Sequence, residues 1–304
     1  MTAPVPAALA QNAVQVWGEA GRQWLSDLPD LVETVAERWH LRVGDPFVLS
    51  YHWVAPAELT DGTRTVVKLG VPGEKHLRQE AKALTAFDGR GAVRLLGFSE
   101  TLGALLLERA DPGTMAASVV PHRDSDATNA IIGIAQRLHR QPPAACALPP
   151  LEQHGRGFTE YLARFGDAGP LPRALVEQAR SLFTDLCASA SERTLLHGDL
   201  HHDNVLDAGD RGWLAIDPHG LVGDPGFDVG AMLYNPMHPA APDGLLDLVP
   251  ARVEQLADGL GMTLERTCAW GFTMAVLSEV WTCEDGAPPE GPPLLVARLL
   301  QQHI

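Results

Sequence analysis

Lysine is nearly absent from this chain of 304 residues: Lys68, Lys75 and Lys82 stand beside twenty arginines and 38 acidic side chains. The resulting net charge of −15 argues against general nucleic-acid binding, which needs a basic face to neutralise phosphates. No uninterrupted apolar run is long enough to cross a bilayer. No basic residue precedes Arg22, so the charged start of a signal peptide is missing, and a cytoplasmic protein without a membrane partner is expected. The four cysteines (Cys146, Cys187, Cys268 and Cys283) form no C-x-x-C pair, which fits reduced thiols. Nothing in the sequence marks an obligate protein partner.

What is present is ordinary for a soluble enzyme, with 45% hydrophobic and 20% charged residues. A chain of this length exceeds one ordinary core, and its character changes near residue 110. A leading helical segment, 1–40, carries Trp24, Leu28, Leu31, Val35 and Trp39 at roughly helical spacing. Strand-like runs follow at 46–54, 64–69, 92–98 and 103–109, interrupted by one helix over 74–87. Beyond "ADPGT" helical periodicity dominates, and the Pro-rich piece 146–153 reads as a connector. The expected architecture is α+β in two lobes: a small strand-rich lobe, 1–109, and a larger helical lobe, 110–304.

The stretch "TLLHGDLHHDNVL" (194–206) crowds three histidines and two aspartates into eight residues. His197 and His201 have the spacing of a helical metal site, but Gly198 and the polar residues around it are loop composition. A histidine-ligated metal is therefore the weaker alternative to a loop that positions one carboxylate. A second apolar run, "WLAID", ends at Asp217, and an acid at the end of a buried run is costly without a partner; a solvated acid opening the turn at Pro218 is the bland alternative. In the first lobe Lys68 alone among the lysines lies in a β-like run. Glu80 shares the apolar face of the 74–87 helix with Leu77, Ala81, Leu84 and Phe87, which makes Lys68 its natural partner.

"HGDLHHDN" followed by "IDP" resembles the catalytic loop and metal-binding element of the kinase superfamily. Gly198 stands in place of the protein-kinase arginine and Pro218 in place of the phenylalanine of D-F-G, as in small-molecule kinases of the aminoglycoside phosphotransferase family. "AIDP…GLVGDPGFD" is similar to the streptomycin 6-kinase and hydroxyurea-resistance branch. The resemblance implies a two-lobed kinase-like fold that uses ATP and Mg2+. Asp199 would accept or orient the acceptor proton, and Asn204 and Asp217 would hold the metal. His197 would support the loop, as would Asp228 unless it merely caps a helix. Lys68, paired with Glu80, would meet ATP phosphates, and backbone groups near Glu108 to Ala110 would meet adenine. With no glycine from 45 to 61, a Gly-rich phosphate loop is missing and its place falls around Ser50 to Trp53.

From Thr267 to Ala297 there is no lysine or arginine, while Glu279, Glu284, Asp285 and Glu290 supply four acids. In the family the C-terminal helices wall the acceptor pocket. His202, Glu284, Asp285 and Trp281 are accordingly expected around a cationic small molecule such as a streptomycin-like aminoglycoside. Another small metabolite as acceptor, or a nucleotide-binding pseudokinase, is the alternative; so is a solvated acidic helix end with Trp281 in the core.

Overall fold

The computed structural model describes residues 4–49, 51–237 and 242–304. The chain forms two compact units: Met1–Gly89 with Val93–Asp111, and Arg90–Ala92 with Pro112–Ile304.

The first unit opens with α1 (Ala7–Trp39), which leaves helical geometry at Gly18 (φ 57°, ψ −123°). Past that bend Gly21 lies so close to Ala13 that a Cβ would sit 2.0 Å from the Ala13 carbonyl oxygen, an approach only glycine permits. Next come β1 (Leu41–Val43), β2 (Trp53–Leu59), β3 (Arg64–Leu69), α2 (Lys75–Phe87), β4 (Leu95–Ser99) and β5 (Ala104–Glu108). The strands form one antiparallel sheet in the order β1-β2-β3-β5-β4. The β2–β3 turn is built on Asp61, whose carboxylate accepts from the Thr63 N–H, and on Gly62 at φ 85°. Alternation along the strands decides what each face carries. Trp53, Ala55, Val67, Leu69 and Ala104 form one core with Leu9, Trp24, Leu28 and Val35 of α1. Lys68 points the other way, toward α2.

The run 46–54, expected as one strand, is not one: only Trp53 and Val54 belong to β2, and the Phe47 N–H donates back to the Val54 carbonyl at 2.8 Å. Pro46 cannot donate to a ladder, and Phe47, Val48, Leu49 and Tyr51 are exposed rather than packed.

The second unit is mostly helical: α3 (Asp124–Leu138), α4 (Arg156–Phe165), α5 (Arg173–Ala188), then four short strands, β6 (Thr194–Leu196), β7 (Val205–Asp207), β8 (Trp213–Ala215) and β9 (Leu221–Gly223). The helices α6 (Val229–Tyr234), α7 (Pro242–Leu260), α8 (Leu264–Glu284) and α9 (Pro292–Leu300) complete it. The strands pair antiparallel, β6 with β9 and β7 with β8. α8 is buried on nearly every side, from Thr267 to Leu277, and packs against α5, α6, α7 and α9. Such a helix carries no amphipathic stripe because it has no solvent face to spare.

Candidate active site

In the second unit the chain leaves β6 directly into the loop 197–204, and three sets of hydrogen bonds fix it. The His197 and Gly198 backbone N–H groups donate to Asp228 Oδ2 and Oδ1 at 2.9 and 2.8 Å. His139, at the end of α3, closes the other side of that carboxylate, its Nε2 3.0 Å from Asp228 Oδ2. His197, fully buried, reaches the Ile216 carbonyl with Nε2 at 3.0 Å and accepts from the Asp199 N–H through Nδ1 at 3.3 Å. Burial would push the Asp228 carboxyl up, but His139, His197 and the Gly198 N–H outweigh it and hold the group below its usual value. For α6 Asp228 makes no side-chain cap, so of the two readings of this residue the geometry has the brace.

Gly198 adopts φ +87°, and a Cβ there would meet His219 Cβ at 3.0 Å, so the turn that presents Asp199 requires glycine. Asn204 secures the far end of the loop: its Nδ2 donates to the Asp199 carbonyl at 2.9 Å and to Asp199 Oδ2 at 3.2 Å. That leaves Oδ1, the atom of the amide suited to a hard cation, uncommitted by these bonds. Asp217 follows β8, whose pairing with β7 includes the Ile216 N–H donating to the Asn204 carbonyl at 2.9 Å. Asp217 sits at φ +57°, an uncommon conformation for a residue with a side chain. The donors here are oxygens. Among the described residues, no three histidine, cysteine or carboxylate ligand atoms from the 197–204 loop converge as a histidine-ligated metal would need.

Asp199 is half-buried. Burial raises its pKa, but the hydrogen bond and charge of His201, with His219 and His197 behind, bring it down to about 2. His201 lies between two carboxylates, 3.5 Å from Asp199 Oδ2 and 3.4 Å from Asp203 Oδ2. Burial lowers its pKa, but those two neighbours carry it up to about 9.

Beside Asp199 opens a cavity of about 540 Å³ whose walls include His201, Asp203, Tyr234, Met237, Ser278 and Trp281. Trp281 is half-buried in that wall rather than sealed in the core. Three expectations for the acceptor pocket do not hold. His202 is fully buried, with both ring nitrogens lacking a hydrogen-bond partner among the described residues, while its neighbours His201 and Asp203 line the cavity. In the tight turn 202–204, adjacent side chains leave in different directions. Glu284 lies one turn beyond Trp281, about 5 Å further along α8, and lines a separate surface hollow with Glu160 and Arg164 of α4. Asp285, which caps the end of α8, is not in the cavity wall either. Tyr234 went unrecognised in the sequence, since no pattern ties the end of α6 to the loop.

In the first unit Lys68 Nζ donates to Glu80 Oε2 at 2.7 Å, and the two residues are 5% and 1% exposed. Glu108 accepts from the Arg94 N–H at 2.9 Å, so its carboxylate serves the sheet edge; Ala110 is buried. Of the expected phosphate-covering residues, Ser50 lies outside the described residues. Trp53 is fully buried and donates Nε1 to the Pro4 carbonyl at 3.1 Å, which withdraws it from that role.

A streptomycin 6-kinase from Streptomyces glaucescens is 33% identical over 98% of this chain and 97% of its own. A hydroxyurea phosphotransferase from Kitasatospora aureofaciens is 35% identical over 93% of this chain and 81% of its own. Among solved structures, an aminoglycoside phosphotransferase of Streptomyces rimosus, in complex with ADP and streptomycin, shares the fold with a TM-score of 0.58. It is 18% identical, covering 84% of this chain and 98% of that one. Residues 38–286 match the profile of the aminoglycoside/hydroxyurea antibiotic resistance kinases, and the chain belongs to that family.

Proposed function

We propose that this small-molecule kinase transfers the γ-phosphoryl group of ATP to a hydroxyl of a cationic, streptomycin-like acceptor. The observation that carries the reading is Asp199: a carboxylate clamped by Asn204 on one side and by the Asp228-braced backbone on the other, facing a cavity large enough for a sugar-sized ligand. With a pKa near 2, Asp199 is an anion throughout the neutral range. Its work is to accept the acceptor's O–H and aim the oxygen, since phosphoryl transfer asks for positioning more than for a strong base. Asn204 Oδ1 and Asp217 would hold Mg2+, and their oxygens fit it as imidazoles would not. Magnesium, when bound, neutralises charge on the phosphates. Lys68, fixed by Glu80, is assigned to the nucleotide phosphates, and the backbone around Glu108 to Ala110 to adenine.

The acceptor assignment rests on the cavity wall. Asp199 and Asp203 outnumber the single His201 charge between them, Trp281 and Tyr234 supply aromatic faces, and a guanidinium or ammonium group is matched to this wall. The cavity is far larger than hydroxyurea, which favours the aminoglycoside over the other substrate named among the relatives.

Streptomycin should therefore stimulate ATP consumption more than a neutral hexose, with a KM that rises with added salt. Asp199→Asn should preserve folding and reduce transfer by about 10² to 10⁴. Near-normal turnover in that variant would remove Asp199 from its role; a neutral sugar as the better acceptor would remove only the antibiotic.

A further inference from the structure

A second group of metal-ligating side chains lies in the first unit, on the connection before β2 and the first turn of α2. His52 ends the connection from β1 to β2, Glu74 is the N-cap of α2, and His76 lies in its first turn. One ligand atom from each lies within 4.8 Å of the other two, and all three residues are half-buried. Glu74 Oε2 is 3.8 Å from His52 Nε2. The two imidazoles lie nearly parallel, with ring centres 5.7 Å apart and an angle of 16° between them.

Two features hold these groups in place. The Glu74 carboxylate accepts from the His76 and Leu77 backbone N–H groups, at Oε1 (2.8 Å) and Oε2 (3.0 Å). A carboxylate keeps lone pairs beyond those two bonds, and such outer hydrogen bonds are what orients a metal ligand. On the opposite side Gly70 admits the His52 ring: a Cβ at position 70 would lie 2.8 Å from the His52 Cδ2 atom. Burial pushes the Glu74 carboxyl up, but His52 and the two N–H groups outweigh it, so the group stays ionised.

We propose that His52, Glu74 and His76 form a binding site for a divalent transition metal of the zinc class. Two imidazoles and one carboxylate are the donor set such a metal takes in sites that keep a fourth position open. Magnesium, which prefers oxygen, is mismatched to it. Positive potential at the start of α2 opposes any cation, but the Glu74 carboxylate stands between that helix end and the metal. Bound metal ties the chain before β2 to the head of α2, and stabilises the fold by mass action because the unfolded chain holds no preformed site.

The test uses the full chain, stripped with a chelator, exchanged into chelator-free buffer and titrated with zinc chloride against a chromophoric zinc indicator. One zinc per chain should bind, raise the melting temperature, and resist excess magnesium. His76→Gln and His52→Asn, chosen to spare the fold, should each weaken binding at least about 100-fold. Their melting temperatures in chelator should match the parent chain's, and His201→Ala should leave binding unchanged. Cobalt(II) in place of zinc should give a visible d–d absorption that disappears in His76→Gln. The absence of saturable zinc binding, binding insensitive to both histidine substitutions, or binding lost in His201→Ala would each overturn the proposal.

Discussion

Asp228 and Glu279 are buried to the same degree, 1% exposed each, and answer burial in opposite ways. Asp228 accepts two backbone N–H groups and the His139 imidazole, and its pKa falls. Glu279, on α8, accepts the Leu294 N–H at 3.2 Å through Oε1, while Oε2 finds no partner among the described residues, and its pKa rises. Burial is the largest influence on both and acts in the same direction on both. The His139 hydrogen bond and the charges of His139 and His197, with the Gly198 N–H, reverse the outcome at Asp228, whereas at Glu279 the Leu294 and Gly291 N–H groups do not. The saturated acid can carry a fixed charge beneath the 197–204 loop. In the other, burial holds the carboxyl above its usual value.

Removing the Asp228 charge should have the largest effect. Asp228→Asn keeps the shape but replaces one acceptor oxygen with a donor facing N–H groups. Breaking such a buried set costs about 3–5 kcal/mol, seen as a fall in melting temperature, and turnover should collapse with it. A variant of parental stability and activity would show that the loop does not depend on the charge. Next in size is His139→Ala, which removes one charge-assisted hydrogen bond worth about 1.5–3 kcal/mol. Because His139 acts through Asp228, kcat should fall while the KM for the acceptor barely moves; a change confined to KM would place His139 in binding instead.

The smallest effect tests the other carboxylate. Glu279 has a folded pKa above its free value of 4.5, so the stability it contributes is full below that pH and is lost as pH rises through the folded pKa. Glu279→Gln keeps an acceptor for the Leu294 N–H and has no charge to bury. At about pH 8 it should be more stable than the parent by on the order of 1 kcal/mol, and the gain should vanish below pH 4.5. Equal melting temperatures across that range would mean that Glu279 is as well paired as Asp228.

What the sequence disclosed follows from the distance over which its patterns act. Lys68 sits on a six-residue strand and Glu80 on a thirteen-residue helix, so periods of 2 and 3.6 were enough to aim them at each other. The loop 197–204 was legible because its residues are contiguous. His139 was not, since 89 residues separate it from Asp228 and only the packing of α3 brings them together. The acceptor wall was misread for a related reason. Glu284 and Asp285 follow Trp281 closely in sequence, but a further turn of helix carries Glu284 to the side of α4. The run 46–54 is not one strand because its start folds back onto Val54, leaving Phe47, Val48 and Leu49 exposed, and strand propensity expresses itself only where side chains pack.

The φ of +57° at Asp217 sets two demands on one codon. The backbone there suits glycine, and a residue with a Cβ holds that conformation at a cost of about 1 kcal/mol. The proposed chemistry suits aspartate. In the genetic code a single base change separates the two. The most accessible loss of the metal ligand is therefore also a relief of local strain, leaving a chain that accumulates as well as its parent or better. Selection for abundance or solubility would favour such a chain, and only selection for phosphorylation would count it as lost.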